Sequence, residues 1–194
     1  IFTPAEKYGI NEFNNTPVVT YQNGTAHFYL PAYPKAGSVY LSGSFNNWST
    51  MQNPMHRTEK GWETSLKLAP GEYQYKYIVD GKWITDPGNK KKVPDGHAGF
   101  NSVFYCYNYV FKLQGFTEAK TVILSGSFNN WNKKKLRMQR SITGWQLPVY
   151  LPKGTYAYKF IVDGQWINDP ANSNLRADAS GNLNSFMGIG DTLI

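Results

Sequence analysis

The sequence has little cysteine, histidine or charge, and it has no long apolar run. A single cysteine, Cys106, excludes an internal disulfide framework and a cysteine-based zinc site. The three histidines, His27, His56 and His97, are scattered along the chain, so we expect no metal ion and no cofactor. No stretch of about 18 apolar residues occurs, which excludes a membrane-spanning helix, and we expect no membrane partner.

Aromatic and turn-forming residues are abundant. Six Trp, fourteen Tyr and eleven Phe accompany eighteen Gly and eleven Pro in the 194 residues. No long segment carries a 3.6-residue apolar period, whereas short alternating runs are separated by turn signals roughly every 8–12 residues. The pattern predicts an all-β protein, and a hydrophobic content of 41% excludes wholesale disorder. The net charge of +7 leaves a nucleic-acid partner open at this point.

An internal repeat organises the chain. LSGSFNNW occurs at 41–48 and at 124–131, and IVDG occurs at 78–81 and at 161–164, so both strings recur after 83 residues. A period of this length suits a small complete domain, and each copy fits an immunoglobulin-like β-sandwich of short strands. The predicted bounds are 1–22 for an N-terminal lead segment, 23–106 for the first copy and 107–194 for the second copy.

Residues 73–84 predict a β-hairpin with Asp80-Gly81 as its two-residue loop. Directly opposed residues share a face and faces alternate along a strand, so Lys76, Ile78 and Trp83 share the outer face. The opposite face is the predicted core face and carries Tyr73, Tyr75, Tyr77, Val79 and Ile84.

The second copy repeats this pattern, with Lys159, Ile161 and Trp166 on the outer face. An exposed indole beside an ammonium group suits a neutral sugar, because the CH face of a pyranose stacks on an aromatic ring. The sugar hydroxyls then take hydrogen bonds from ammonium and amide donors.

The six tryptophans fall into two groups. Trp62 and Trp145 each follow a glycine in a predicted strand, and this pattern favours a place in the core. For the other four, the residues alone leave sugar binding and core packing as equal alternatives: Trp48, Trp83, Trp131 and Trp166.

The strings VYLSGSFNNW and GEYQYKYIVDGKWITDP resemble family 48 carbohydrate-binding modules, which include the glycogen-binding domain of the β subunit of AMP-activated protein kinase. Both copies match, over roughly 25–106 and 107–190. The resemblance implies an immunoglobulin-like β-sandwich that binds α-1,4-glucans (glycogen, starch, maltooligosaccharides) without catalysis. The implied carbohydrate-binding residues are Trp48, Lys76, Trp83 and Asn101 in the first copy, and Trp131, Lys159, Trp166 and Asn184 in the second.

The last loop of each copy departs from the family. The kinase β subunits carry a Leu there that packs against the glucan, followed two residues later by a Thr. The matching positions, taken as candidate loop contacts, are His97 and Gly99 in the first copy and Ser180 and Asn182 in the second. Losing the Leu predicts altered contacts to the glucan chain and leaves the Trp-Trp-Lys platform intact.

Catalysis has little support in the sequence. There is no G-x-S-x-G elbow, no H-E-x-x-H and no P-loop. Asp80, Asp86, Asp163 and Asp169 recur in both copies, and the hairpin Asp-Gly and the Asp-Pro turn explain them more simply than a glycosidase pair does. We therefore expect no catalytic residues.

Two lysine triplets, 90–92 and 133–135, are predicted to lie in solvated loops. No nucleic-acid recognition motif accompanies them, so we expect no nucleic-acid partner. The expected partner is an α-glucan polysaccharide or maltooligosaccharide, bound by avidity through two sites, in an accessory part of a larger protein with an adjoining catalytic or anchoring domain. The alternatives are another neutral glycan such as xylan, or a protein-interaction module with one or both sugar sites silent.

Overall fold

A computed structural model describes residues 2–190, and its regular structure is almost entirely β-strand. The predicted all-β fold class is confirmed. The chain divides into two compact units. The first unit is Ile10–Tyr107, and the second unit comprises the described residues of Ile1–Gly9 and Asn108–Ile194. Among residues 2–190, no helix has the length and apolar character needed to cross a bilayer.

The first unit contains two antiparallel sheets. Its strands are β1 (Val19–Gln22), β2 (Thr25–Leu30), β3 (Val39–Gly43), β4 (His56–Arg57), β5 (Trp62–Lys67), β6 (Gly71–Val79), β7 (Lys82–Ile84), β8 (Lys92–Pro94) and β9 (Phe100–Cys106). One sheet has the order β1-β2-β5-β4, and the other has the order β3-β6-β9-β8 with β7 paired to β6. A 3₁₀ turn, Ser44–Asn46, follows β3.

Aromatic rings join the two sheets of the first unit. Phe28 on β2 is fully buried and lies edge-on to Tyr75 on β6 and Phe104 on β9, with ring centroids 5.4 Å and 4.8 Å away. Burial of one such Phe side chain stabilises the fold by about 1.5–3 kcal/mol. Since the sheets meet through these rings, the unit is a β-sandwich.

The second unit repeats this architecture. Its strands are β10 (Tyr109–Gln114), β11 (Val122–Gly126), β12 (Leu136–Arg137), β13 (Gln139–Arg140), β14 (Gly144–Val149), β15 (Gly154–Val162), β16 (Gln165–Ile167), β17 (Leu175–Ala177) and β18 (Leu183–Ile189). The sheet orders are β10-β14-β13 and β12-β11-β15-β18-β17, with β16 paired to β15. Phe111 and Tyr158 pack edge-on across the sheets at 5.1 Å.

The residues of the predicted lead segment belong to both units. Residues 10–22 are part of the first unit, where β1 pairs with β2. Residues 2–9 are part of the second unit, to which Gly9 is joined by an isolated bridge with Tyr150. The immunoglobulin-like strand arrangement of the two sandwiches stays a prediction.

The predicted hairpin and its register are confirmed. Val79 pairs with Lys82 and Ile78 pairs with Trp83, around a loop in which Asp80 has φ 46° and Gly81 has φ 82°. Two positive φ values are what a type I′ turn requires, and Asp-Gly satisfies them at low cost. The second unit has the same pairing between β15 and β16.

The burial of one position on the outer face of the hairpin differs from expectation. Ile78 is only 6% exposed, although it shares the outer face with the exposed Trp83. Its directly opposed neighbours on the flanking strands are Tyr40 and Trp83, and these large side chains cover it. Ile161 is buried in the same position of the second unit.

Candidate functional site

Each candidate site starts from a tight turn that follows the 3₁₀ segment. Asn47 and Trp48 have φ values of 52° and 58°, a left-handed conformation that costs a non-glycine residue about 1–3 kcal/mol. Asn46 holds the turn, since its Oδ1 accepts the Gly43 N–H at 3.0 Å and its Nδ2 donates to the Leu41 carbonyl at 3.2 Å. Strain of this kind clusters at functional sites, and here it projects an indole beyond β3.

Two indoles form the floor of the first site. The rings of Trp48 and Trp83 have centroids 6.4 Å apart and planes inclined by 46°. Trp83 is 44% exposed although it is a large apolar side chain. The two rings line a cavity of about 400 Å³ together with Lys76 and Asn101, so all four predicted binding residues of the first copy lie together.

The ammonium group of the first site is held by a carboxylate. Lys76 Nζ donates to Asp95 Oδ2 at 2.8 Å. This hydrogen bond, with the N–H groups of His97 and Gly99 that donate to Oδ1, lowers the pKa of Asp95 to about 2. Lys76 is thereby positioned at the cavity with two of its three N–H donors left for a ligand.

This ion pair makes a testable prediction about pH. The folded-state pKa of Asp95 lies below its unfolded value of about 3.9, so its contribution to stability is fully present above about pH 4. That contribution is lost as the pH falls through about 2. In a carbon-detected NMR titration, we expect the Asp95 carboxyl midpoint near 2, and Lys76→Met should raise it. Lys82→Met, on the same hairpin, is the matched control and should leave it unchanged. A wild-type midpoint near 4 would contradict the ion pair.

The last loop contributes one side chain to the first cavity. His97 lines the cavity, whereas Gly99 is not among the lining residues and only donates its N–H to Asp95. Asn101 is 8% exposed, and its Nδ2 donates to Gln74 Oε1 at 2.9 Å. The side-chain oxygen of Asn101, Oδ1, is therefore oriented as a hydrogen-bond acceptor for a ligand. Gln74 adds a second side-chain amide to the cavity.

The second site repeats the paired indoles. Trp131, with φ 55°, faces Trp166 at a centroid distance of 6.3 Å and an interplanar angle of 48°. Trp166 is 39% exposed. The rings line a cavity of about 390 Å³ together with Lys159 and Asn184, the other two predicted residues of this copy.

The polar groups of the second site differ from those of the first. Lys159 has no ion pair within the described part of the chain, since Asp178 is held by its own loop. Asp178 Oδ1 accepts the N–H groups of Asn182 and Ser180, both at 2.9 Å, and the pKa of Asp178 is lowered chiefly by the Asn182 N–H. Asn182 lines the cavity and Ser180 does not, while Lys133 adds a second ammonium group.

Four polar residues of the sites were missed by the sequence reasoning. Asp95 and Asp178 are 83 residues apart, so the repeat itself carried a signal that a carboxylate recurs in the last loop. Gln74 and Lys133 had no such signal, because the positions 83 residues away hold Ala157 and Thr50. Strand alternation did place Gln74 on the face of Lys76, which lies two residues further along β6, whereas Lys133 lies in a loop that has no such alternation.

The tryptophans predicted to be structural are buried. Trp62 and Trp145 are each 5% exposed. Their Nε1 atoms donate to the carbonyl groups of Tyr33 and Phe116, in both cases at 3.0 Å. The prediction that these two indoles are core is therefore confirmed.

The repeated aspartates have structural partners. Asp80 Oδ1 accepts the N–H groups of Gly37 and Ser38 at 2.8 and 2.9 Å, which ties the hairpin loop to the strand beside it. Asp86 is fully buried and accepts the Tyr75 hydroxyl at 2.7 Å. Burial raises the pKa of the Asp86 carboxyl, and hydrogen bonds oppose that effect. The turn interpretation of these residues is confirmed.

The lysine triplets are only partly loop residues. Lys92 begins β8, and Lys91 Nζ lies 4.8 Å from the centroid of the Tyr105 ring. In the second triplet, Lys133 lines the second cavity and Lys135 pairs with Glu6 at 2.9 Å. The prediction of a solvated loop was wrong for Lys92, which lies in a strand, and for Lys91, which is half-buried beside Tyr105. It is confirmed for the second triplet, whose three lysines are exposed in the loop before β12.

A comparison with protein families identifies what these paired sandwiches are. The profile described as the glycogen recognition site of AMP-activated protein kinase matches residues 33–104 and 107–193, once in each copy of the repeat. The chain belongs to this family. The resemblance to carbohydrate-binding modules that recognise glycogen is thereby confirmed, and the two copies are two glycogen-recognition modules.

Two curated proteins are similar to this chain over one segment of about fifty residues. The 5'-AMP-activated protein kinase subunit beta-1 of Sus scrofa is 53% identical over 49 residues, which are 25% of this chain and 38% of that protein. Protein PTST homolog 2, chloroplastic, of Arabidopsis thaliana is 53% identical over 53 residues, which are 27% of this chain and 10% of that protein. The chain thus spans less than two-fifths of these relatives.

A solved structure, the maltogenic amylase from S. marinus, overlaps 96% of this chain and 31% of its own chain. The sequence identity is 17% and the TM-score is 0.36. An overlap this weak carries no argument about the fold or function of the chain.

Proposed function

We propose that each module binds an α-1,4-glucan on its pair of indoles, with the neighbouring lysine and asparagine contacting the sugar hydroxyls. The observation that carries this proposal is the recurrence of one geometry, with centroids 6.4 and 6.3 Å apart and planes inclined by 46° and 48°. Two aromatic planes that are tilted to one another fit a curved chain. An α-1,4-glucan curves, whereas a flat ribbon of sugars would stack best on coplanar rings.

The polar groups support the same assignment. Lys76 and Asn101 lie at the rim of the first cavity, and Lys159 and Asn184 lie at the rim of the second. Ammonium and amide groups can both donate to hydroxyls, and asparagine can also accept from them. The indole pair with its lysine and asparagine can therefore bind a neutral polyol and does not need a charged ligand. We assign these residues no catalytic step.

Two sites on one chain should act by avidity on a polymer. β9 ends at Cys106 and β10 begins at Tyr109, so only two residues separate the last strand of one unit from the first strand of the next. A short linker gives a high effective concentration for the second binding event, which can raise apparent affinity about 10²–10⁴-fold where geometry permits. We propose residues 23–106 and 107–194 as the bounds of the two modules, serving a longer protein as an accessory to a catalytic or anchoring domain.

A maltoheptaose titration followed by NMR tests this function. We expect the indole N–H signals of Trp48, Trp83, Trp131 and Trp166 to shift, and those of the buried Trp62 and Trp145 to stay in place. Xylohexaose is the matched control and should shift none of them. Shifts confined to one module would identify the other as silent, and a response to xylohexaose alone would contradict the α-glucan assignment.

A further inference from the structure

The first unit covers one edge of its own sheet with residues from before the repeat. β1 pairs with β2 over four residues, and just ahead of β1 the Val18 carbonyl accepts the Tyr29 N–H at 2.8 Å. The preceding segment then follows the loop after β7. Asn14 N–H donates to the Gly88 carbonyl at 2.9 Å, and Lys90 N–H donates to the Glu12 carbonyl at 2.8 Å.

This covering segment seals the polar groups beneath it. Phe13 forms a bridge with Asn89, and Asn11 Oδ1 accepts the Tyr105 N–H at 2.8 Å. Asp86 and Asn89 are consequently 0% and 2% exposed. Residues 11–22 therefore close a groove that runs between β2 and the loop leading to β8.

The second unit has the same groove without a covering segment. Its β10, the counterpart of β2, lies at the edge of its sheet, and none of the residues from 2 to 190 pairs with the outer side of β10. A cavity of about 850 Å³ runs along this edge. Its lining includes Ala171, Asn172 and Gly188, which are the repeat counterparts of Gly88, Asn89 and Tyr105.

The open edge of β10 exposes main-chain groups that an added strand would hydrogen-bond. Lys112 occupies the repeat position of Tyr29, so its N–H is the counterpart of the donor that Val18 satisfies in the first unit. Val110 on the same strand is 40% exposed. Unpaired edges of this kind are templates for strand addition, in which main-chain hydrogen bonds provide affinity and side-chain pockets provide specificity.

We propose that the groove along β10 binds an extended, acidic segment of a partner protein, which adds a strand to this edge as residues 11–22 do in the first unit. The first unit thus shows what kind of occupant the groove takes.

A steric difference disfavours residues 11–22 of a second copy as the occupant. A Cβ on Gly88 would lie 2.5 Å from Val18 Cγ1, closer than carbon atoms approach. The second unit has Ala171 at that position, which carries this Cβ. The occupant therefore needs a small residue, glycine or alanine, where the first unit has Val18.

The charge of the groove selects an acidic segment. Lys112 and Arg176 line it, whereas their counterparts in the first unit are the uncharged Tyr29 and Val93. The one carboxylate in the lining, Asp169, is already engaged by the Tyr158 hydroxyl at 2.6 Å. Two cations against one carboxylate leave the lining with a net positive charge, which favours a segment that carries Asp or Glu.

Fluorescence anisotropy with a labelled peptide tests the proposal on the full chain. The probe has the sequence of residues 11–22 with Val18→Ala, and it retains Glu12. We expect saturable binding that weakens with added salt, and at least tenfold weaker binding of the same peptide with Val18 restored. The variant Lys112→Glu/Arg176→Glu should bind the probe at least tenfold more weakly. The matched control Lys120→Glu/Lys134→Glu, in the same unit but outside the groove, should bind it normally.

A second variant keeps the test decisive if charge reversal perturbs the fold. Ala171→Leu adds bulk at an exposed position inside the groove and should also block the probe. Glycogen retention should be unchanged in these variants, because none of the substituted residues lines an indole cavity. Absence of saturable binding, or equal binding to both double variants, would overturn the proposal. So would a dimer of the chain that Ala171→Leu dissociates, since the occupant would then be a second copy.

Discussion

Replacing Trp83 and Trp166 together with alanine is expected to abolish retention on glycogen while both sandwiches stay folded. Each indole is about two-fifths exposed and meets its partner ring across an open cavity, so its removal leaves the core intact. Loss of an aromatic anchor of this kind costs about 2–4 kcal/mol per site, or about 30- to 1,000-fold in affinity. Native affinity gels with soluble glycogen measure the retention, and circular dichroism monitors the fold.

Single variants and a matched control sharpen this result. Trp83→Ala or Trp166→Ala alone should leave one working site, so retention should fall without disappearing and the avidity should be lost. Tyr33→Ala and Ile142→Ala also remove exposed apolar side chains, 42% and 100% exposed, but outside both cavities, and should leave retention unchanged. Undiminished retention in the double tryptophan variant would contradict the site assignment.

Trp62→Ala is expected to lower the unfolding free energy of the first unit by about 3–5 kcal/mol. Its indole is 5% exposed, its Nε1 donates to the Tyr33 carbonyl, and the Arg57 guanidinium lies 4.5 Å from the ring centroid. Alanine leaves a cavity, an unpaired carbonyl and an unstacked cation. Urea unfolding followed through resolved NMR signals of each unit measures the effect on the first unit separately from the second.

Comparing the unfolding free energies of Trp62 and Trp83 variants distinguishes a structural role from a binding role. Trp62→Phe refills most of the space and loses the hydrogen bond, so it should cost about 1 kcal/mol. Trp83→Ala uncovers part of Ile78, so it should lower the unfolding free energy by about 1 kcal/mol, well below the cost of Trp62→Ala. A Trp62→Ala variant that unfolds like the wild type would show that this indole is not part of the core.

Much of the site was predictable because strand geometry is local. The two-residue Asp80-Gly81 loop sets the register of the hairpin, and the register places Trp83 opposite Ile78 and beside Lys76 on one face. The repeat then carries the same argument to the second copy. Strand context also placed Trp62 in the core, whereas for Trp83 it left core packing and sugar binding as equal alternatives, and the family resemblance implied the binding role.

The polar groups that come from loops were not predictable from strand geometry. Asp95 reaches Lys76 from a loop nineteen residues away in sequence, and Lys133 reaches the second cavity from the loop after the Trp131 turn. A loop has no alternation to place its side chains, so its contacts depend on how the backbone closes. The unexpected burial of Ile78 arises similarly, from cover by flanking strands.

The sequence by itself determined the repeat, the all-β class and the faces of the hairpins, because each follows from periodicity or from a turn of two residues. The tertiary structure decided which loop groups surround the indoles, since Asp95 and Lys133 lie in loops whose closure no local pattern sets. It also decided that the lead residues close a groove in one sandwich while the matching groove of the other stays open along β10. That difference depends on which strand lies at an edge, and strand neighbours are set by the fold rather than by local pattern.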